Sequence, residues 1–216
     1  MNKAKTQRVL NYLDELYPDA KCELYHHNTY ELLVAVMLSA QTTDKRVNTV
    51  TPILFEKYPT IEEVANANLK DIENIIKSIG FYHNKAVNMI ALSKKLIEDY
   101  DGIVPSDYKG LMSLPGVGRK TANVVRSVSF NIPAFAVDTH VERISKRLGF
   151  AKKDDDVLTI EKKLNRSIER NLWNKSHHQF IFFGRYFCKA TTPSCNECKL
   201  FDMCKDEIKY KKRKLK

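Results

Sequence analysis

The sequence predicts an all-α protein, and three observations carry that prediction. Apolar residues recur at helical spacing in segment after segment of the 216-residue chain. Residues that start and stop helices stand between those segments. No stretch of useful length shows the strict alternation of a half-buried strand. There is also no internal repeat and no low-complexity linker.

Taken in order, residues 3–17 place Val9, Leu10, Leu13, Leu16 and Tyr17 on one helical face, and Pro18 stops them because it has no N–H to continue the ladder. Asn28 to Glu31 reads as a capping box for ELLVAVMLSAQ, which is apolar nearly all round and so predicts a central core helix. His26 and His27 precede it as loop histidines, with no partner at metal-ligand spacing. Gln41, Thr42 and Thr43 follow at the end of that helix and lead into DKRVNTVTPILFEKY. Thr60 and Glu63 form a second capping box, and Leu69, Ile72, Ile75, Ile76 and Ile79 give a core stripe that ends at Gly80. Phe81 and Tyr82 make an exposed turn before NKAVNMIALSKKLIEDY, which Asp101-Gly102 closes; Ser106 is placed to cap a short helix running up to Leu114.

The stretch Leu114 to Asp138 gathers the chemistry. Pro115 ends one helix, and Gly116 and Gly118 can both take positive φ and leave backbone N–H groups uncovered. From Arg119 the segment RKTANVVRSVSF puts Val124, Val125 and Val128 on one face, so a second helix begins there. Two helices joined through PGVG aim free N–H groups and a positive helix end at one point, a site for a phosphate oxygen. Lys120 lies in the first turn beside Arg119, where helix end and neighbour both disfavour the ammonium form that a nucleophilic amine must shed. Its bland alternative is a solvated lysine on a surface helix. Asp138 precedes VERISKRLG and reads as an N-cap, or as an acid/base partner of Lys120, or as both.

Beyond it, that helix closes at Gly149, and Asp154, Asp155 and Asp156 start VLTIEKKLNRSIERNLW as acids at a positive helix end. They lack the ligand alternation and glycine of a calcium loop. A last helix, about residues 176–188, carries Phe180, Ile181, Phe183 and Phe187; the tail KYKKRKLK is a basic run.

Thirty-six Lys and Arg stand against twenty-six Asp and Glu, a formal charge of +10, which favours a polyanion, nucleic acid before a membrane surface. No apolar run is long enough to span a bilayer, and MNKAKTQRVL has no signal core, so a cytoplasmic protein without a membrane partner is expected, at the nucleoid in a bacterium. Cys22 stands alone and reads as a small buried residue. Cys188, Cys195, Cys198 and Cys204 are spaced C-x6-C-x2-C-x5-C, which by general rules suits tetrahedral zinc or an iron–sulfur cluster equally.

LPGVGRKTANVV followed by VDTHVERISKRLG resembles the helix-hairpin-helix and catalytic aspartate segment of the endonuclease III family of DNA glycosylases. The cysteine spacing after GRYFCK resembles that family's [4Fe–4S] loop. The resemblance implies a two-lobed fold: a six-helix domain over 21–133, an iron–sulfur domain from 1–20 plus 134–211, and a basic tail at 212–216. DNA would lie in the groove between them. It further implies a monomer acting on double-stranded DNA with damaged bases or abasic sites. Lys120 would be the Schiff-base lysine and Asp138 its carboxylate partner. Gly116, Val117, Gly118 and Arg119 would meet the DNA backbone with Lys120. Gln41 would fill the gap left by an extruded base, and Phe81 would stand where relatives commonly wedge a leucine. Cys188, Cys195, Cys198 and Cys204 would hold the cluster, with Lys189 and Lys199 drawn to its negative charge. Arg119, Lys146 and Arg185 would steer the polyanion. Phe183 departs from the histidine common before Gly-Arg-Tyr, which removes any polar contact made there.

The activity so implied is removal of oxidised pyrimidines followed by strand cleavage. Alternatives are an adenine or thymine mismatch glycosylase and a non-catalytic DNA-binding module. VAVMLSAQ carries no acid before Gln41, Lys120 occupies the nucleophile position and no long C-terminal extension is expected, all of which count against the adenine enzyme. An electron carrier would explain the cysteines but neither the hairpin nor the charge.

Overall fold

The computed structural model describes residues 1–207, and every α-helix, 3-10 turn and π turn in it belongs to an all-α arrangement without strands among those residues. The basic tail at 212–216, with the rest of KYKKRKLK, lies outside the described residues. No helix among them is long and apolar enough to cross a membrane. The chain divides into two compact units, Met1–Cys22 with the segment from Pro133 onward, and Glu23–Ile132.

The continuous unit holds α2 (Thr29–Leu38), α3 (Asp44–Lys57), α4 (Ile61–Ala65), α5 (Leu69–Ile76), α6 (Tyr82–Tyr100), α7 (Tyr108–Ser113) and α8 (Arg119–Val128), seven helices because the five-residue α4 stands by itself. α2 is its centre. Every residue from Tyr30 to Leu38 is buried, as an all-round apolar helix requires, and α3, α6 and α8 pack on it. Removing one of its fully buried leucines, such as Leu33, would cost about 2–5 kcal/mol.

Capping was legible in outline and differs in detail. Thr60 and Glu63 make the full reciprocal capping box. Asn28 accepts from the Glu31 N–H at 2.9 Å, but the Glu31 carboxylate reaches past the cap to the His27 N–H at 2.7 Å and the His27 ring at 2.9 Å. His27 is therefore partnered. Asp107, rather than Ser106, caps α7, accepting from the Gly110 N–H at 2.8 Å. α6 begins at Tyr82, inside the turn the sequence predicts, because Phe81 itself adopts the left-handed conformation that sets the helix direction.

The discontinuous unit packs α1 (Lys3–Leu16), α9 (Thr139–Leu148), α10 (Val157–Ser167) and α11 (Trp173–Phe182) around Leu13, Phe135, Ile144, Ile160 and Phe180. Phe135 meets Phe180 edge-on at 5.7 Å. Asp156 caps α10, accepting from the Thr159 N–H at 2.8 Å; Asp155 takes Lys163 Nζ at 2.5 Å, so the acids do start this helix. α10 stops at Ser167 rather than running to Trp173: Ile168 turns extended to bury its side chain, a 3-10 turn at Arg170–Leu172 follows, and Trp173 opens α11. The last turn, Phe183–Phe187, is a π turn. Phe183 is fully buried, stacked on Phe187 at 5.2 Å, which accounts for an apolar residue there. Cys22 is half-buried rather than buried.

Candidate active site

The hairpin is built as its residues dictate, with one change. α7 ends at Ser113 with Leu114 as its C-cap, the Val117 N–H donates to the Leu114 carbonyl at 3.1 Å, and α8 starts at Arg119. Gly116 has φ 75°, and a Cβ there would stand 2.9 Å from Met37 Sδ and 3.0 Å from Asn88 Cβ, so the turn admits no side chain. Gly118 is different. Its φ is −99°, available to any residue, and a Cβ would meet nothing within 4 Å. The second glycine is therefore not demanded by the chain's own packing; it keeps an open flank.

That flank is the N-terminus of α8. Asn2, Asn28, Thr43, Thr60, Asn68, Asp107, Asp138 and Asp156 each cap a helix through a side-chain oxygen, whereas Gly118 offers none. The start of α8 is thus a positive helix end without a side-chain cap, the kind of end that suits an anion. Lys120 is the second residue of this helix and is exposed. Arg119 leans back on α7, donating to the Tyr108 hydroxyl at 3.0 Å with its guanidinium 5.4 Å from the ring centre. Val117 is buried, so only its backbone can reach a partner.

Gln41 and Phe81 are both exposed, Phe81 by 64%, and both have left-handed backbone, φ 55° and 57°. Between their turns lies Lys85, which sequence reasoning missed. It is 6% exposed and burial lowers its pKa; its ammonium donates to Leu38 O at 2.8 Å, Ala40 O at 2.6 Å and Thr42 Oγ1 at 3.2 Å. The signal was there in part: Lys85 lies on the core stripe of α6 with Ala86, Met89, Leu92 and Leu96.

In the discontinuous unit, Asp138 is the N-cap of α9, its Oδ1 accepting from the Val141 N–H at 2.8 Å. Burial lowers the pKa of neighbouring His140 against the opposing pull of the Asp138 carboxylate. Lys146, expected to steer DNA, donates to Glu142 Oε1 at 2.6 Å.

Cys188, Cys195, Cys198 and Cys204 line one cavity, walled by Phe183, Phe187, Pro193 and Phe201 and by Arg147. Among the described residues no three Cys, His, Asp or Glu groups converge on one ion-sized point. Burial pushes the Cys198 thiol up to about 11 and raises that of Cys188, so thiolates here need positive charge beside them. Arg147 supplies some, donating to Cys188 Sγ at 3.3 Å. Lys199, expected in that role, pairs with Glu15 instead. Four soft thiolates in an apolar cavity with a guanidinium at one sulfur fit an iron–sulfur cluster.

The all-helical fold with a glycine hairpin that heads α8 without a side-chain cap defines a class. The sequence model of the "HhH-GPD superfamily base excision DNA repair protein" matches residues 34–170. Endonuclease III of Bacillus subtilis (strain 168) is 51% identical over 215 residues, covering 100% of this chain and 98% of its own, and endonuclease III of Escherichia coli (strain K12) is 41% identical over 204 residues, covering 94% and 96%. A solved structure described as a trapped endonuclease III–DNA covalent intermediate superposes with a TM-score of 0.94 at 52% identity, covering 99% of each chain. The chain belongs to the HhH-GPD superfamily and, within it, to the endonuclease III family.

Proposed function

We propose that this chain is a DNA glycosylase with AP-lyase activity in base excision repair, acting on oxidised pyrimidines and abasic sites in double-stranded DNA at the bacterial nucleoid. The observation that carries the reading is the first turn of α8, where a positive helix end without a side-chain cap, an open flank at Gly118 and the exposed Lys120 amine stand together. The covalent DNA intermediate trapped for the 52% identical protein supports a covalent nucleophile in this chain, a role we give to Lys120.

In this reading the N–H groups after Gly116 and Gly118 hold a backbone phosphate without reading sequence. The lesion leaves the stack, at a cost of a few kcal/mol, while Gln41 and Phe81 enter the helix. Asp138 takes a proton from the Lys120 ammonium and steadies positive charge on the sugar. The neutral amine attacks C1′ and the bond to the base breaks with its electron pair going to the base. The nitrogen sheds a proton, the C1′–O4′ bond opens with O4′ taking up a proton, and an iminium joins Lys120 to C1′. Loss of a C2′ proton then expels the 3′ phosphate, and water frees Lys120. Cys188, Cys195, Cys198 and Cys204 hold a [4Fe–4S] cluster that, when bound, orders the loop from 188 to 204.

Borohydride trapping on a duplex with an abasic site tests the reading. The unaltered chain should crosslink and Lys120→Met should not; an equally efficient crosslink by Lys120→Met overturns it.

A further inference from the structure

Four non-glycine residues have left-handed backbone among those described. Asp101 and Asn131 are of types that visit that region readily, but glutamine and phenylalanine are not. Gln41 and Phe81 therefore sit in shapes that their surroundings must impose. Both are exposed, so packing of their own side chains does not impose them.

The buried ammonium of Lys85 bears directly on the Gln41 turn. Its acceptors are Leu38 O and Ala40 O before Gln41 and Thr42 Oγ1 after it, so it clamps that turn from both sides. Three acceptors use all three of its donors. The same residue's backbone N–H donates to Phe81 O at 3.1 Å, the opening bond of α6 that any residue here would make, so the ammonium acts on the second turn through the first, which lies beside it. The two turns also touch: a Cβ on Gly80 would stand 3.7 Å from Gln41 O and 3.9 Å from Thr42 Oγ1. An ammonium buried among carbonyls without a carboxylate is an expensive way to fill space, and a methionine would fill it more cheaply. Its donors are the reason to keep it.

We propose that Lys85 is a positioning residue that holds Gln41 and Phe81 together in the backbone shape from which they enter the DNA helix. This rests on the functional reading above. The lysine touches neither DNA nor the reacting atoms; it acts through the two turns.

A merely structural lysine and a positioning one are separated by substrate. A single strand has no stack for Gln41 and Phe81 to fill, so Lys85→Met should lower base release from a damaged duplex by about tenfold or more while keeping borohydride trapping on single-stranded abasic DNA within about twofold. In a Gln41→Ala, Phe81→Ala background, adding Lys85→Met should change duplex activity by less than about twofold, because the groups it positions are gone. Equal losses on both substrates, no loss on duplex, or full additivity in that background would each overturn the proposal. If Lys85→Met does not fold, Thr42→Val removes one acceptor and keeps the ammonium, and should give the same selective loss at about threefold; no selectivity sinks the idea. Binding to a duplex with 2-aminopurine opposite an abasic analogue reads the wedge without catalysis. The unaltered chain should raise the fluorescence and Lys85→Met should not; an equal rise with both overturns the positioning role. An unaltered chain that never crosslinks defeats only the catalytic reading.

Discussion

Arg147 donates to Cys188 Sγ at 3.3 Å from a side chain that is almost wholly buried. The same guanidinium holds Lys189 O at 2.8 Å, Ala190 O at 3.0 Å and the Asp206 carboxylate at 2.6 Å, so one side chain on α9 ties both ends of the cysteine loop. Arg147→Met should lower unfolding stability by about 2–4 kcal/mol, leaving Asp206 and the carbonyls of Lys189 and Ala190 without this donor. Visible absorbance per chain, followed during dilution, should decay faster than in the unaltered protein; an unchanged decay would count against the tie.

Cluster loss should act through the core of the same unit. Leu200 is fully buried there, and Cys188, Cys198 and Met203 pack against it. The purified chain should carry ~4 iron atoms. Cys198→Ser should abolish the visible band and lower the melting temperature; a band retained at full strength would exclude Cys198 as a ligand.

The two hairpin glycines should part company. Gly116→Ala forces a side chain into Met37 and Asn88 at positive φ and should cost about 1–3 kcal/mol in urea unfolding. Gly118→Ala meets nothing and should stay within about 0.5 kcal/mol, yet weaken binding to an abasic-analogue duplex by roughly tenfold, since the new methyl occupies the flank left for phosphate.

Asp138 offers a way to separate cap from charge. Asp138→Asn keeps an oxygen for the Val141 N–H and should leave stability within about 0.5 kcal/mol, while turnover falls about 10²-fold or more. Asp138→Ala should lose both, costing ~1 kcal/mol for the missing cap. Wild-type turnover in Asp138→Asn would reduce the residue to a cap.

The α10 start should loosen in acid. The Lys163 ammonium and the Lys152 N–H hold the Asp155 carboxyl below its ordinary value of 3.8, and Thr159 does the same for Asp156. Both folded values lie below the unfolded one. Their stabilisation is therefore complete above ~4 and drains as pH falls through the lower folded values. Amide exchange of Thr159 and Ile160, compared with Asp155→Asn, should show that acid sensitivity; exchange indifferent to pH below 4 would contradict it.

The hairpin, the cysteine spacing and most helix starts were legible because each is a local matter: a proline, a glycine, a cap three residues from its donor. Asp107 displaced Ser106 by one position, an ambiguity that only the Gly110 N–H direction resolves. Lys85 and Arg147 were hidden for another reason. Each is a cation on an apolar helical face, and the acceptors Leu38, Cys188 and Lys189 lie 41 to 47 positions away, where no window along the chain can see them.

The discontinuous unit has a consequence for synthesis. α1 leaves the ribosome before the continuous unit but packs on α11, with Gln179 Nε2 donating to Asp14 Oδ1 across 165 positions. Residues 23–132 can fold as they appear; α1 must wait, apolar face bare, until α11 has been made. A nascent chain stalled before α11 should therefore be clipped by protease within its first twenty or so residues, and a chaperone that shields that stretch would raise the yield of folded product.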